Sequence, residues 1–355
     1  MALLETERDT GRDLSRLGIL LFLVVAVAGI FYVKWDPYFA KALHAAAAHT
    51  LGPSIVTGTS AAAPPFSIGA ALDYGIAYFQ DIWQALAVAL LLGAGVQTLL
   101  PDGWLAKVLG RADVRSSAIA GVAAVPSMMC TCCAAPLAVG LRRANASPGA
   151  VLAYWVANPV LNPATIIFLG FVLGWGWALL RVAVGVPLVA TLAWYGNRYV
   201  PHADLALQSV PPSVVRRPGE NLITAWLKAT LRLALGLVPE YLVIVLVLGA
   251  VRSLLFPAMS PVIGGSILLL LLLTVAGTLF VVPTAGEVPI LQTLFSYGLG
   301  SAGGGALMLT LPAVSLPSLW MVGKALPRKN LAVVAAIVAG FGVITGLLAM
   351  LFGLH

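Results

Sequence analysis

The sequence predicts an all-α polytopic membrane protein, built from two inverted-topology repeats with Pro-broken or re-entrant helical hairpins and one extra N-terminal span. Three observations carry that expectation. Of 355 residues 60% are hydrophobic and 9% charged, with a mean hydropathy of +0.99, whereas soluble domains carry about 25% charged residues. The apolar runs are long enough for helices across a hydrocarbon core of about 30 Å, which takes roughly 20 residues, and they lack the alternation of a barrel strand. Helix breakers recur at matching places in the two halves: Val125-Pro126 as Val282-Pro283, Ala135-Pro136-Leu137 as Val288-Pro289-Ile290, and Asn158-Pro159 as Leu311-Pro312.

In chain order, residues 1–80 read as an N-terminal anchor span with an extracytoplasmic segment. Residues 1–16 are charged and polar, and 17–33 is the first span. A cleaved signal peptide is disfavoured, because the n-region is long and acidic and no small-residue cleavage site follows Val33. An Ala-rich helix over 38–51 carries His44 and His49, expected at the surface, and a Gly, Pro, Ser and Thr loop follows over 52–67. The first membrane repeat is expected over 81–197, with spans at 82–100, 149–172 and 177–196 and a broken element at 116–142. The second covers 222–355, with spans at 225–251, 304–323 and 331–352 and a broken element at 262–300. A Pro-rich cytoplasmic linker, 198–221, joins them. The stretch from Leu92 to Pro101 also aligns with that from Leu248 to Pro257. Weak internal symmetry with interrupted segments at corresponding places is the mark of a repeat-built transporter.

Each half has an odd number of crossings whether or not its broken element is re-entrant, so the halves are expected to be inverted. The charges agree: Lys107, Arg111, Arg115, Arg198, Arg216, Arg217, Lys324, Arg328 and Lys329 fall on one side, as the positive-inside rule expects for a cytoplasmic face. Arg181 and Arg252 fall near the opposite ends of their spans. The expected location is the inner membrane, multi-pass, with the N-terminus cytoplasmic. The formal charge of +7 is thus explained by loop topology and implies no nucleic acid. The expected partners are the lipid bilayer and a small thiophilic substrate, and homo-oligomerisation is left open.

The chemistry concentrates between Pro126 and Pro136, which enclose all three cysteines, Cys130, Cys132 and Cys133. Irregular backbone at membrane depth survives only where it is buried in protein or lines a cavity, so this stretch marks a site. Three cysteines within four positions are unlike a secreted disulfide framework. Thiolates suit Cu(I), Zn(II) and other thiophilic species. In a regular helix Cys130 and Cys133 share a face and Cys132 points elsewhere, while an extended turn would bring all three sulfurs together as a trigonal centre for a soft metal or metalloid. A structural zinc site wants four ligands, and no fourth is near. The bland alternative is cysteine as a small buried packing residue.

Other polar groups complete the candidate site. Glu287 lies between Pro283 and Pro289, and an intramembrane carboxylate by default marks a proton or ion pathway; it is the first candidate for proton coupling, and Glu240, with Gln84 opposite it in the first repeat, the second. Asn158, Asn162 and Ser315 can contact substrate or instead satisfy backbone freed by Pro159, Pro163 and Pro312. Met128 and Met129 read as packing, and the run Gly303, Gly304, Gly305 as a close helix approach. No ATP-binding motif occurs and no cofactor is expected.

The pattern Pro126-x-x-x-Cys130-x-Cys132-x-x-x-Pro136-Leu137-Ala138-x-Gly140-Leu141-Arg142-Arg143, followed by Asn158-Pro159-x-x-Asn162-Pro163, resembles the signature of the predicted permease family that includes the bacterial organoarsenical efflux permease ArsP. Gly286-Glu287-Val288-Pro289 resembles that family's second repeat, and the likeness runs over about 81–350. Cys133 stands where the pattern expects a small residue, usually glycine. The resemblance implies a permease, not an enzyme, exporting a small trivalent organoarsenical by alternating access. Transport of another soft solute, copper(I) or a small sulfur compound, is the first alternative. A membrane-embedded thiol oxidoreductase cycling Cys130 and Cys132 is the second, unsupported by any quinone- or thioredoxin-type signature.

Overall fold

The computed structural model describes residues 17–60, 62–101, 103–201, 221–256 and 266–354. The charged leader 1–16, most of the linker with Arg216 and Arg217, and Pro257 lie outside the described residues. Within them every named element is helical, and seven helices are long and apolar enough to cross a membrane. Leu, Val and Phe side chains of the outer helices remain exposed, Leu20, Val27, Phe39, Leu179 and Leu268 among them. That is the surface expected when lipid, not water, is the solvent.

Helix α1 runs unbroken over Leu17–Ala48, which merges the expected span 17–33 with the expected separate helix at 38–51. Its continuity has a local cause. Phe31–Trp35 is a π-helical turn, and Pro37, whose ring and missing N–H disrupt a regular helix, falls where that wide turn ends. His49 caps the helix in the left-handed region, with its Nδ1 2.7 Å from the Phe171 carbonyl; both histidines are exposed, as expected.

Helix α2, Ile68–Thr98, begins well before the expected residue 82, capped by Ser67 Oγ accepting from the Ala70 N–H. Asp73 and Asp81 lower its apparent hydropathy but lie on its exposed side, while Tyr74, Tyr78 and Ile82 recur at four-residue intervals on the buried one. Helices α3 (Trp104–Leu109) and α4 (Val114–Ala124) lead into the first break. Asp113 caps α4, and the Ser116 backbone hydrogen bond holds its carboxyl below the usual range. Helix α5, Thr131–Arg143, leads back out. The Ser147 N–H donates to the Leu109 carbonyl at 2.7 Å, so this broken element leaves on the face by which it entered.

The next span is a helix pair, α6 (Pro148–Val160) and α7 (Pro163–Val172), interrupted at Leu161 and Asn162. Helix α8 is Trp175–Tyr199 and α9 Leu222–Leu255. Trp226 of α9 donates to the Leu91 carbonyl and Gly249 abuts Tyr74, so α9 lies antiparallel to α2. Helix α10 (Ile267–Leu279) enters the second break and α11 (Glu287–Ser296) leaves it. A second interrupted span follows, α12 (Ser301–Ala313) and α13 (Leu316–Val322), and α14 (Arg328–Leu351) closes the fold. Gly303 meets Leu273 and Gly277 meets Thr310, so α10 and α12 run parallel; the second broken element also enters and leaves on one face.

Those faces are opposite. Gly18, at the start of α1, abuts the Leu99 carbonyl, beside the end from which the first hairpin hangs. At the other end of α1, about 48 Å away at 1.5 Å per residue, Gln292 of α11 donates to the His49 carbonyl and Tyr297 to the Thr59 carbonyl. The basic segments gather on the first face. Asn197 donates to Ser117 Oγ at 3.0 Å and Asn330 to Tyr195 Oη at 3.0 Å, joining the regions of Arg115, Arg198 and Lys329.

Candidate functional site

Each half contributes a break of the same form. In the first, a short 3₁₀ turn over Val125–Ser127 ends in Met128 at φ 47°, and Cys130 is the extended N-cap of α5. In the second, Pro283 is followed by Thr284 and by Ala285 at φ 65°, and Glu287 opens α11. Pro126, Ser127, Met128 and Cys130 thus match Pro283, Thr284, Ala285 and Glu287, position for position. A non-glycine residue in the left-handed region costs free energy and persists only where its surroundings enforce it. Here they do. Met129 donates its N–H to Asn158 Oδ1 at 3.1 Å, Ser127 Oγ stands 2.5 Å from the same oxygen, and Asn158 Nδ2 returns to the Tyr154 carbonyl. Asn158 is fully buried in this work of supporting the break.

The three cysteines divide. They are free and buried, and because α5 begins at Thr131 the spacing of a regular helix governs them. The Cys130 thiol donates to Cys133 Sγ at 3.2 Å. Cys132 points the other way, 3.5 Å from Ser315 Oγ. Of the two arrangements the sequence left open, the structure holds the regular-helix one, a Cys130 and Cys133 pair with Cys132 apart, and not three converging sulfurs. Among the described residues no group of three His, Cys, Asp or Glu side chains could hold a metal ion.

Asn162 caps α7, accepting from the N–H groups of Ala164 and Thr165, and Ser315 caps α13 in a capping box with Ser318. Each caps the second helix of an interrupted span, one in each half. Ser315 also approaches Thr131 Oγ1 at 3.3 Å and so reaches the cysteine helix. Asn162 Nδ2 is buried without a partner.

Glu287 is buried and accepts a 2.8 Å hydrogen bond from Arg181 Nη1. Arg181, expected near a span end, is in fact fully buried within α8. Its remaining donors reach the Pro159 carbonyl at 2.7 Å and the Val160 carbonyl at 2.9 Å. Those are the carbonyls left free at the end of α6, where the helix dipole favours a cation, while Glu287 sits at the start of α11, where it favours an anion. Glu287 Oε2 has no hydrogen-bond partner. A cavity of about 10 Å³ is lined by Cys130, Pro159, Thr165, Pro283, Thr284, Glu287 and Pro312, bringing one thiol and the carboxylate to a common space. Such a volume holds about one water molecule. Beyond Pro283, Thr284 and Ala285, which it shares, lies a 200 Å³ vestibule lined also by Lys41, Asp81, Pro53 and Ile55, on the side of the 49–60 loop.

Glu240 is not part of this assembly. It lies half exposed on α9, 2.6 Å from Lys324 Nζ, and accepts from Trp320 Nε1. Sequence reasoning also missed Lys34, which is buried on the π-helical turn of α1 and donates to Thr284 Oγ1 at 2.9 Å. The signal was present in both missed cations: a charge inside an apolar span requires a partner at the same depth.

A family described as a predicted permease matches residues 17–154 and 127–351. The UPF0718 protein YraQ of Escherichia coli (strain K12) is 44% identical over 332 residues, covering 94% of each chain. The UPF0718 protein MJ0584 of Methanocaldococcus jannaschii is 20% identical over 330 residues, 75% of this chain and 90% of that protein. No solved structure matches.

Proposed function

Since the chain belongs to this predicted permease family and is a multi-pass membrane transporter, we propose that it exports a small thiophilic solute, a trivalent organoarsenical in the first instance, by alternating access. The observation that carries the reading is the Cys130 and Cys133 thiol pair, 3.2 Å apart, with Cys130 on a cavity shared with Glu287. Soft sulfur ligands favour soft acceptors. A trivalent organoarsenical with two hydroxyls would form two arsenic–sulfur bonds, the two thiol protons leaving with the hydroxyls as two waters, without change of oxidation state. Two sulfurs in contact equally suit copper(I), which is the second reading. The sulfurs of Cys130 and Cys132 face different ways, so the pair that the oxidoreductase reading would cycle does not stand together.

We assign the two halves to inverted repeats, in keeping with hairpins that open onto opposite faces, and the basic face to the cytoplasm of a cell inner membrane. Substrate would pass between that face and the vestibule at the 49–60 loop. Glu287 is the proposed proton-coupling group, its Oε2 being the carboxylate oxygen left without a hydrogen-bond partner. Ser315, beside Cys132, is a proposed substrate contact in the opened state.

The test is binding and flux in vesicles, with a trivalent methylarsenical, Cu(I) and Ag(I) as probes. Cys130→Ser and Cys133→Ser should each lower arsenical affinity at least tenfold and abolish transport at normal expression, while Cys132→Ser, off the pair, retains binding. Full transport by the Cys130→Ser, Cys133→Ser double variant would reduce the thiols to packing. Cysteine-dependent flux of the metal ions alone would select the copper reading.

A further inference from the structure

The sequence symmetry leaves α1 outside the two halves, yet α1 supplies a polar side chain to each break. Trp35 Nε1 donates to the Pro126 carbonyl at 2.9 Å, and Lys34 Nζ, one residue earlier, donates to Thr284 Oγ1 at 2.9 Å. Pro126 and Thr284 belong to the matched segments of the first and second break. A single π-helical turn, Phe31–Trp35, aims two successive side chains at both; such wide turns cluster at functional positions.

Lys34 is 5% exposed. An ammonium has three donors, and its partners are Thr284, Tyr38 Oη at 3.3 Å and the face of the Tyr38 ring at 5.1 Å. Among the described residues no carboxylate stands within ion-pair distance of it. Burying an ammonium costs several kcal/mol unless its donors are occupied, so the Thr284 bond is one the protein gives up only at cost. Thr284, with its neighbours Pro283 and Ala285, also lines both the cavity of Cys130 and Glu287 and the outer vestibule. It sits next to Ala285, a non-glycine residue held in the left-handed region at φ 65°.

We propose that Lys34 is a positioning residue of the transport site, a latch on the second break: its bond to Thr284 holds the Pro283 to Ala285 partition shut between the vestibule and the thiol cavity. Helix α1 is then a working part of the permease, fixed to the first break through Trp35 and releasing the second through Lys34. This latch rests on the reading of the cavity as the transport site, but its test needs no substrate.

The test is the rate at which a membrane-impermeant methanethiosulfonate, added from the side of the 49–60 loop to full-length protein in oriented vesicles, modifies a single remaining cysteine. With Cys130 retained, Lys34→Met should raise the rate at least tenfold, Thr284→Val should do the same from the other end of the bond, and the double variant should add nothing further. Lys34→Arg, which can still donate, should restore slow modification. With Cys132 retained, on the other side of α5, none of these changes should move the rate. An unchanged Cys130 rate in both single variants would overturn the latch. So would equal rises at Cys130 and Cys132, which would mean general loosening. If the latch holds while no thiophile binds the Cys130 and Cys133 pair, the transport reading fails and the gate stands.

Discussion

At the scale of single residues the candidate site rests on one buried exchange of charge and hydrogen bonds, whose two members can be perturbed separately. Arg181 and Glu287 form a fully buried pair, and removing one partner of such a pair typically costs about 3–5 kcal/mol because the other is left uncompensated. Arg181→Met should therefore destabilise the protein by about that amount, and adding Glu287→Leu should recover most of it, as followed by thermal unfolding in detergent. Glu287→Gln is milder, since it keeps the hydrogen-bonding shape of a protonated carboxyl and leaves Arg181 its carbonyl partners Pro159 and Val160. That variant should retain substrate binding and lose the dependence of transport on a pH gradient; undiminished gradient sensitivity would remove Glu287 from coupling. The thiols and Glu287 were legible in the sequence because breakers flank them. Arg181 and Lys34 were not, because no local pattern says which distant break a buried cation will meet. The division of the cysteines was legible only as an alternative, settled once α5 was seen to begin at Thr131 and to set Cys132 against Ser315.

At the scale of elements, the cysteine helix is held by close backbone approach. A Cβ on Gly140 of α5 would lie 2.3 Å from the Gly93 carbonyl oxygen of α2, and one on Gly93 would lie 2.6 Å from the Pro136 carbonyl oxygen. Small residues that let membrane helices touch replace the hydrophobic drive that lipid removes. Backbone cannot rotate away as a side chain can, so Gly140→Ala should destabilise the fold by about 1–3 kcal/mol and disturb the thiol pair. Gly340→Ala in α14 is the control: nothing lies within 4 Å of its added carbon, and in a helix interior the change should be neutral or gain up to about 1 kcal/mol. Equal melting shifts for the two would remove the close crossing as the cause. The Gly303 to Gly305 run follows the same logic, with Gly305 facing the Thr345 carbonyl and Gly346, and here the sequence was explicit. It was less so about helix ends. Ile68 and the continuation of α1 to Ala48 escaped because exposed Asp73 and Asp81 dilute hydropathy and Pro37 looks like a breaker until the π-helical turn ahead of it is known.

At the scale of the whole molecule, the two halves carry matched breaks in elements that hang from opposite faces, and the proposed inversion can be tested through accessibility. The first hairpin closes where Ser147 meets Leu109, beside the basic segments, and the second ends at Ser296 and Tyr297, beside the 49–60 loop. The matched breaks were visible in the sequence because prolines, not common apolar residues, carry the alignment. That each broken element enters and leaves on one face was not, since odd crossing numbers are satisfied equally by one turn-back or two crossings. Labelling separates the cases. In a background with all three native cysteines changed to serine, Arg198→Cys and Lys329→Cys should react with an impermeant maleimide from the cytoplasmic side, and His49→Cys and Ser296→Cys from the opposite side; all four positions are exposed. Reaction of positions 198 and 296 from the same side would put both hairpins on one face. The thiol pair and Glu287 would then be reached from a single direction, and alternating access between matched breaks would lose its geometric basis.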